Sequence, residues 1–500
     1  MGLSRRSLLL AGAAAGLACC AGGSGLTWLF LRATAIDTRG RVDFVNKLAI
    51  PPLAPATRDA EGRLVFDLRA APGHHDFGDG PVDTWGLNGP YLGPTLRARR
   101  GDHVLVNVKN DLGRVTTMHW HGMHLPAAMD GGPHQPIRPG RTWQPTWRVN
   151  QPAATLWYHP HPHGATAEHV YRGLAGMFIV DDPSTDVPDL PHEYGVDDIP
   201  LIVQDKTFDG GRLAFGGSMM GMGILGRTIV VNGTLAPHLD VTTQRIRLRL
   251  LNASNARVYE FTFSDGRFFD LVGTDGGLLP APVPTNRVML APAERAEIVV
   301  TMQPGERVVL RSDPPRLGTP VIGRFVGGAD AFDVLELRAA TTLAPRPEVP
   351  ARLVEVPRID PSDAAKRRMF RLTDQSINGK HMDMSRIDAT VERDTVEVWR
   401  VTNSDGKPHS LHVHDVQFQV VSIDGRQPPA HLAGWKDTVY VPPGPEYELA
   451  MRFADYSDPD TPYMFHCHML YHEDQGMMGQ FVVVEPGQQA GRINHHHHAG

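Results

Sequence analysis

The chain has 500 residues, a formal net charge of −6 and a sequence pI of 6.5, and 41% of it is hydrophobic. That length is too great for one ordinary domain and corresponds to about three, and the lack of any basic block argues against a nucleic-acid partner. With 51 Gly and 42 Pro the body favours turns and short strands over long helices. Its 3 cysteines, two of them (Cys19 and Cys20) in an apolar N-terminal stretch, exclude an internal disulfide framework.

The N-terminus reads as an export address. In "SRRSLLLAGAAAGLACC" the pair Arg5 and Arg6 precedes an apolar run that meets no charge until Arg32. This is a twin-arginine signal in type, with a small-x-small cleavage site at Ala33 and Ala35. An uncleaved anchor is the alternative, because the run is long enough to span a bilayer. Lipidation at Leu17-Ala18-Cys19-Cys20 is the poorer match. Residues 1–35 are assigned to this segment, and the body is expected outside the cytoplasm, in the periplasm or cell envelope.

Beyond it, one pattern recurs three times. "RRGDHVLVNVKND" closes on Asn110, "TTQRIRLRLLNAS" on Asn252 and "ERDTVEVWRVTNS" on Asn403. Each is a period-2 apolar run entering a turn, the signature of a half-buried strand. The copies start about one domain length apart, which indicates duplicated domains rather than a solenoid. "GLAGMFIVDDP" and "GMMGQFVVVEP" read as matching last strands of the first and third copies. The expectation is an all-β chain of three β-sandwiches at 45–187, 188–344 and 345–488, followed by a His-containing tail at 489–500. The splits fall near Pro188 and across "APRPEVPARLVEVPRIDP".

The repeat also locates the chemistry. "HWHGMH" follows the first Asn and "HSLHVH" the third, whereas "ARVYEFTFSDG" follows the second without a histidine, so the middle domain reads as a spacer. Four His-x-His pairs result: His119/His121, His159/His161, His412/His414 and His466/His468. On a strand, residues i and i+2 share a face, so each pair offers two imidazoles side by side. One pair among 25 histidines would mean little. Four pairs, split evenly between first and third copies, suit copper, zinc or iron; left without metal they would be a crowd of buried polar rings.

Cys467 narrows the metal. It faces away from His466 and His468 by the same alternation, so it can serve a second site. His409, His472 and Met477 are at hand, and two His, one thiolate and a weak Met form the ligand set of a blue, electron-transfer copper. The His-Cys-His backbone then joins a mononuclear site to a cluster, and an electron can cross through its bonds.

"HWHG", "WYHPHPHG", "HSLHVH" and "HCHMLYHEDQGMM" resemble the four copper signatures of the three-domain multicopper oxidases, the laccase-like family with bacterial cuprous oxidases, spore-coat laccases and bilirubin oxidases. "INGKHMDMSRID" and "AGWKDTVYVPPG" resemble its bacterial periplasmic branch. The resemblance implies three cupredoxin-like Greek-key domains and four coppers per chain: one type 1, one type 2 and two type 3. It implies His409, Cys467, His472 and Met477 as the type 1 ligands and His119 and His412 as the type 2 ligands. His121, His159 and His468 would hold one type 3 copper, and His161, His414 and His466 the other. Substrate oxidation would be coupled to reduction of O2 to water, with Asp130 ("MDGGP") and Glu473 ("HEDQG") matching proton-delivering acids of the family; turn or cap roles are their bland alternatives. His163 is not a ligand in the family, and His103, His124, His134, His169 and His495 to His498 are not expected to form structural metal sites.

The reductant is the least determined. Asp405, four residues before His409, stands where periplasmic cuprous oxidases carry an acid of their substrate-copper site. Lys407 stands where they carry a Met, and no long Met-rich insertion precedes the third domain. Met219, Met220 and Met222 in "GGSMMGMGILG" are thioethers suited to soft Cu(I), though Met clusters more often fill cores. The expectation is a monomeric cuprous oxidase of copper tolerance, with Cu(I) as reductant. The alternative is laccase-like oxidation of phenols and aromatic amines. A non-catalytic copper binder or a cell-division relative that has lost its ligands is disfavoured by the complete donor set.

Overall fold

The computed structural model describes residues 35–185, 187, 189–216, 221, 223–319 and 322–493; Arg5, Arg6, Cys19, Cys20, Ala33, Pro188, Met219, Met220, Met222 and His495 to His498 lie outside them. Strands dominate, and the sheets form three sandwiches in sequence order. The alternation read in the first repeat is realised in strand His103–Asn110, where Val104, Val106, Val108 and Asn110 are buried and the four residues alternating with them only partly so. These valines join Phe66, Trp120, Leu156 and Phe178 in one core between two sheets. Separate apolar cores fill the middle and last sandwiches.

The recurring asparagine is a corner lock. Asn110 Nδ2 donates to the carbonyls of Arg114 (2.8 Å) and Ile137 (2.7 Å), and its Oδ1 accepts from the Leu112 N–H. Asn252 repeats this with Arg257, Leu290 and Ser254. Asn403 repeats it with Lys407, Val441 and Asp405. A buried amide with both donors and its acceptor satisfied fixes the turn after the strand. The turns of the first and third copies then lead into the strands that carry histidines.

Those strands sit in equivalent sheets. In the first sandwich the order is Leu96–Arg99, Gly176–Asp181, Ala154–His159, His119–His121; in the third it is Ala389–Glu392, Met478–Val484, Asp458–Cys467, His409–Val413, Thr438–Val441. His119 lies opposite His159 in one register, and His412 opposite His466 in the other. The middle sandwich contributes a seven-stranded sheet with Arg245–Asn252 beside Arg295–Thr301. Asn46 and Lys47, expected with the first domain, pair in parallel with Pro237 and His238 of the middle one.

The first and third sandwiches meet through directed polar contacts. The backbone N–H groups of Thr166 and Ala167, opening helix Thr166–Arg172, donate to the two carboxylate oxygens of Asp474 at 2.8 and 3.0 Å. A carboxylate at these otherwise orphaned donors caps the helix. Tyr463 donates its hydroxyl to the Leu125 carbonyl at 2.7 Å. His124 bridges Asp415 (2.8 Å) and Asp455 (3.0 Å).

Candidate metal centres

Strand Asp458–Cys467 ends with its side chains divided as the alternation requires. Cys467 is buried with its Sγ 3.5 Å from His409 Nδ1 and 3.6 Å from His472 Nδ1. Burial pushes the thiol up, but its contacts with the two imidazoles outweigh this and bring it down to about 5. A thiolate is the form that binds metal. Met477 is buried alongside; its carbonyl accepts the Cys467 N–H at 3.0 Å and its own N–H donates to the His472 carbonyl. Both outer ring nitrogens are engaged. His409 Nε2 lies 3.3 Å from Asp405 Oδ1, and His472 Nε2 donates to the Gly221 carbonyl at 3.0 Å.

On the opposite side of the strand, His466 and His468 join the other six histidines between the first and third sandwiches, all of them buried. His466 Nε2 is 3.1 Å from His161 Nε2 and 3.2 Å from His414 Nε2. His159 Nε2 is 3.4 Å from both His121 Nδ1 and His468 Nε2. His119 and His412 stand between these two groups, with ring centroids 5.8 Å apart.

The remote nitrogens show which way each ring points. His119 Nδ1 donates to the Asp130 carbonyl (2.9 Å) and His412 Nδ1 to the Asp437 carbonyl (2.8 Å), which leaves both Nε2 atoms buried without a partner among the described residues. His414 Nδ1 donates to Asp130 Oδ2 at 2.7 Å, and His159 Nδ1 to the Pro160 carbonyl. Glu473, buried in helix Leu470–Asp474, places one oxygen 3.1 Å from His161 Nδ1 and the other 3.1 Å from His466 Nδ1. His121 is turned the other way: its Nε2 donates to Asp437 Oδ1 at 3.0 Å and its Nδ1 faces inward.

This arrangement fits metal ions and little else. With the proton held on the outer nitrogen, each inward nitrogen presents a lone pair, and lone pairs 3.1–3.4 Å apart repel. Protonating the rings offers no relief, because burial and then neighbouring rings push His161, His412 and His414 well below the usual imidazole range. A cation among the lone pairs resolves the conflict, and outer hydrogen bonds to carboxylates and carbonyls are the usual support of metal-bound imidazoles.

Two segments match family models described as multicopper oxidase, residues 70–185 and residues 352–487, and these hold all the donors just described. A multicopper oxidase of Staphylococcus haemolyticus is 35% identical over 88% of this chain and 93% of that protein. The chain belongs to the multicopper oxidase family. It is therefore a copper enzyme built of three cupredoxin-like sandwiches. It is similar, too, to a cell division protein, FtsP, of Xenorhabdus nematophila, 37% identical over 97% of this chain and the whole of that one. Among solved structures, a laccase-like multicopper oxidase, CueO, of an Ochrobactrum species superposes with a TM-score of 0.80 at 35% identity, covering 87% of this oxidase and all of that chain.

Of the residues singled out from sequence, the twelve donor positions gather into these two neighbouring centres, with Asp405, Asp130 and Glu473 on their outer nitrogens. His163 is exposed. His103 contacts Thr146, His134 contacts Gln480 and His169 contacts Thr116, apart from the donor groups. Asp437 was missed. Its contribution depends on strand Thr438–Val441 pairing with His409–Val413, and no spacing along the chain announces that.

Proposed function

We propose that this oxidase couples the oxidation of Cu(I) to the reduction of O2 to water, with four coppers per chain, in the periplasm or cell envelope after twin-arginine export, and that it serves copper tolerance. His409, Cys467, His472 and Met477 would hold the type 1 copper. His119 and His412 would hold the type 2 copper; His121, His159 and His468 one type 3 copper; and His161, His414 and His466 the other. When bound, the type 1 copper would accept electrons from the donor one at a time, and the four coppers together would supply the four electrons that reduce O2 to two waters.

The chain's residues supply the setting. The Cys467 backbone links the mononuclear donors to His466 and His468 through covalent bonds. Asp130 Oδ1 is buried, with His119 Nδ1 3.4 Å away and no hydrogen-bond partner among the described residues, so it can hold a proton beside the cluster. Glu473 can hold another between His161 and His466. Both acids also orient the rings they touch.

The choice of Cu(I) rests on the Gly221 carbonyl over His472 Nε2. Gly221 stands between Met220 and Met222 in the chain, and its backbone takes the ring edge at which a bulky phenol would dock. The neighbouring ring, His409, bears the Asp405 anion on its Nε2, with a side chain that is 16% exposed. Lys407, which would repel a cation, has its ammonium on Asp374 at 3.0 Å. The two carboxylates and one ammonium leave that mouth negative.

The test compares kcat/KM for Cu(I) and for a dimethoxyphenol in wild type, in Asp405→Asn and in the Met219/Met220/Met222→Ser triple variant. Selective loss of Cu(I) oxidation in both variants, with phenol oxidation kept or raised, supports the proposal. Equal loss on both substrates favours the laccase-like reading, which the Ochrobactrum relative, with its oxidase activity towards lignin model compounds, also recommends. Absence of O2 uptake with either donor after copper loading would place the chain with its cell-division relatives.

A further inference from the structure

Among the described residues the middle sandwich supplies no donor to either centre, yet its Arg295 reaches the cluster. We infer that Arg295 is a positioning residue for the type 3 site: it locks the Asp437 carboxylate, and through it the His121 ring, with Nδ1 rather than Nε2 facing the metal. This rests on the copper assignment above.

Arg295 opens strand Arg295–Thr301 and is wholly buried. All five of its N–H groups are used. Nη1 and Nη2 donate to the two oxygens of Asp437 at 2.7 and 2.6 Å. Nε donates to the Thr155 carbonyl at 2.9 Å, in the strand that carries His159. The remaining two go to the carbonyls of Ala293 and Asp275. One guanidinium thus pins the first, middle and third sandwiches together beside the cluster. Only a planar fork with five donors can make this set of bonds; an ammonium cannot.

Asp437 is the part that it positions. Oδ1 accepts from His121 Nε2 at 3.0 Å and from the Thr438 hydroxyl at 2.9 Å, while its backbone carbonyl holds His412. Behind the pair, Asp275 and Glu294 bracket the Lys436 ammonium at 3.0 and 3.1 Å, so the arginine is embedded in a buried ionic network rather than placed against loose side chains. The chain leaves room for this contact. Gly122, next after His121, has a φ of 82°, and a Cβ there would overlap Asp437 Oδ2 and crowd Arg295 Nη2. The glycine of "HWHG" is therefore required by the Arg295–Asp437 pair as well as by its own backbone conformation.

Among the eight histidines of the cluster, His121 is the one ring whose outer contact is through Nε2. Were Asp437 free to rotate, nothing else among its contacts except the Thr438 hydroxyl would hold that orientation. A displaced outer partner of a metal-bound histidine commonly costs about 10–100-fold in metal affinity.

The experiment uses the full-length copper-loaded protein and the variants Arg295→Lys, Asp437→Asn and the double variant. Copper per chain is measured during titration with a chelator, alongside the blue type 1 absorption, the type 3 near-ultraviolet absorption and the type 2 electron paramagnetic resonance signal. The expected result is an unchanged blue band, with type 3 copper released at chelator concentrations about 10–100-fold lower than in wild type. The double variant should lose no more than the worse single one, because both changes break one contact. Wild-type copper retention in either single variant overturns the inference. So does equal release from the type 1 site, which would make Arg295 a general brace between domains. If Arg295→Lys does not accumulate as folded protein, Asp437→Asn decides alone. A wild type that binds copper without turning blue sinks the copper assignment instead.

Discussion

Asp130 and Asp437 stand in the same relation to the histidine cluster from opposite domains. Each accepts, at its backbone carbonyl, the Nδ1 proton of a histidine in its own sandwich, His119 for one and His412 for the other. Each carboxylate then reaches across the interface, Asp130 to His414 and Asp437 to His121. The pair differs in one respect: Asp437 faces Arg295, whereas Asp130 has no cation against it and keeps one oxygen without a hydrogen bond among the described residues. Equivalent frames therefore carry a clamped acid on one side and a freer one on the other.

That difference predicts a proton-transfer defect for Asp130→Asn. The amide can still accept from His414 but cannot hold a proton. General acid–base contributions are typically about 10²–10⁴-fold, so turnover should fall at least about tenfold. Stopped-flow measurement should show substrate bleaching the blue band at the wild-type rate, with recovery in O2 slowed. Unchanged steady-state turnover would reduce Asp130 to an orienting residue in its "DGG" turn, where Gly131 is required because a Cβ would overlap the Met118 carbonyl.

Cys467→Ser tests the mononuclear centre. Its Sγ is the one thiol among the donors, so the blue absorption and the oxidase activity should both vanish. The strand around it is held by the pairing of Leu411 with Cys467 and His412 with His466, and the substitution leaves that ladder intact. Far-ultraviolet circular dichroism and the copper bound at the cluster should stay close to wild type. A Cys467→Ser protein that remains blue would move the type 1 site elsewhere.

Copper removal should destabilise the chain. The native fold assembles the inward lone pairs and the unfolded chain does not, so binding adds RT ln(1 + [L]/Kd), about 4 kcal/mol at a thousandfold excess over the dissociation constant. Calorimetry of chelated and reloaded protein should show the melting temperature rising with free copper. No rise would mean that the histidines tolerate one another without metal.

His124 makes a pH-dependent latch between the first and third sandwiches. Burial alone would lower it, but Asp415 and then Asp455 hold its imidazolium and raise it to about 9. Because the folded value lies above the ordinary imidazole value of about 6.5, the contribution is fully present below that pH and is lost as pH rises towards 9. Wild-type melting temperature should therefore fall across this window more steeply than that of His124→Gln. Parallel curves would show that the bridge adds nothing.

Much of this was readable along the chain. The three Asn-closed strands, the all-β class and the four His-x-His pairs follow from local periodicity, because a strand turns successive side chains to opposite faces wherever it lies. The same rule put Cys467 on the side away from His466 and His468. What folding alone decided is which groups meet across long separations: Asp130 with His414, 284 residues apart, and Arg295 with Asp437, 142 apart. Sequence spacing carries no information about contacts made by packing one sheet against another, and a spacer without a His-x-His pair gives no local sign that its arginine will end beside the cluster. The orientation of His121 was decided in the same way, since which ring nitrogen faces inward depends on the partner that the tertiary structure places behind the other.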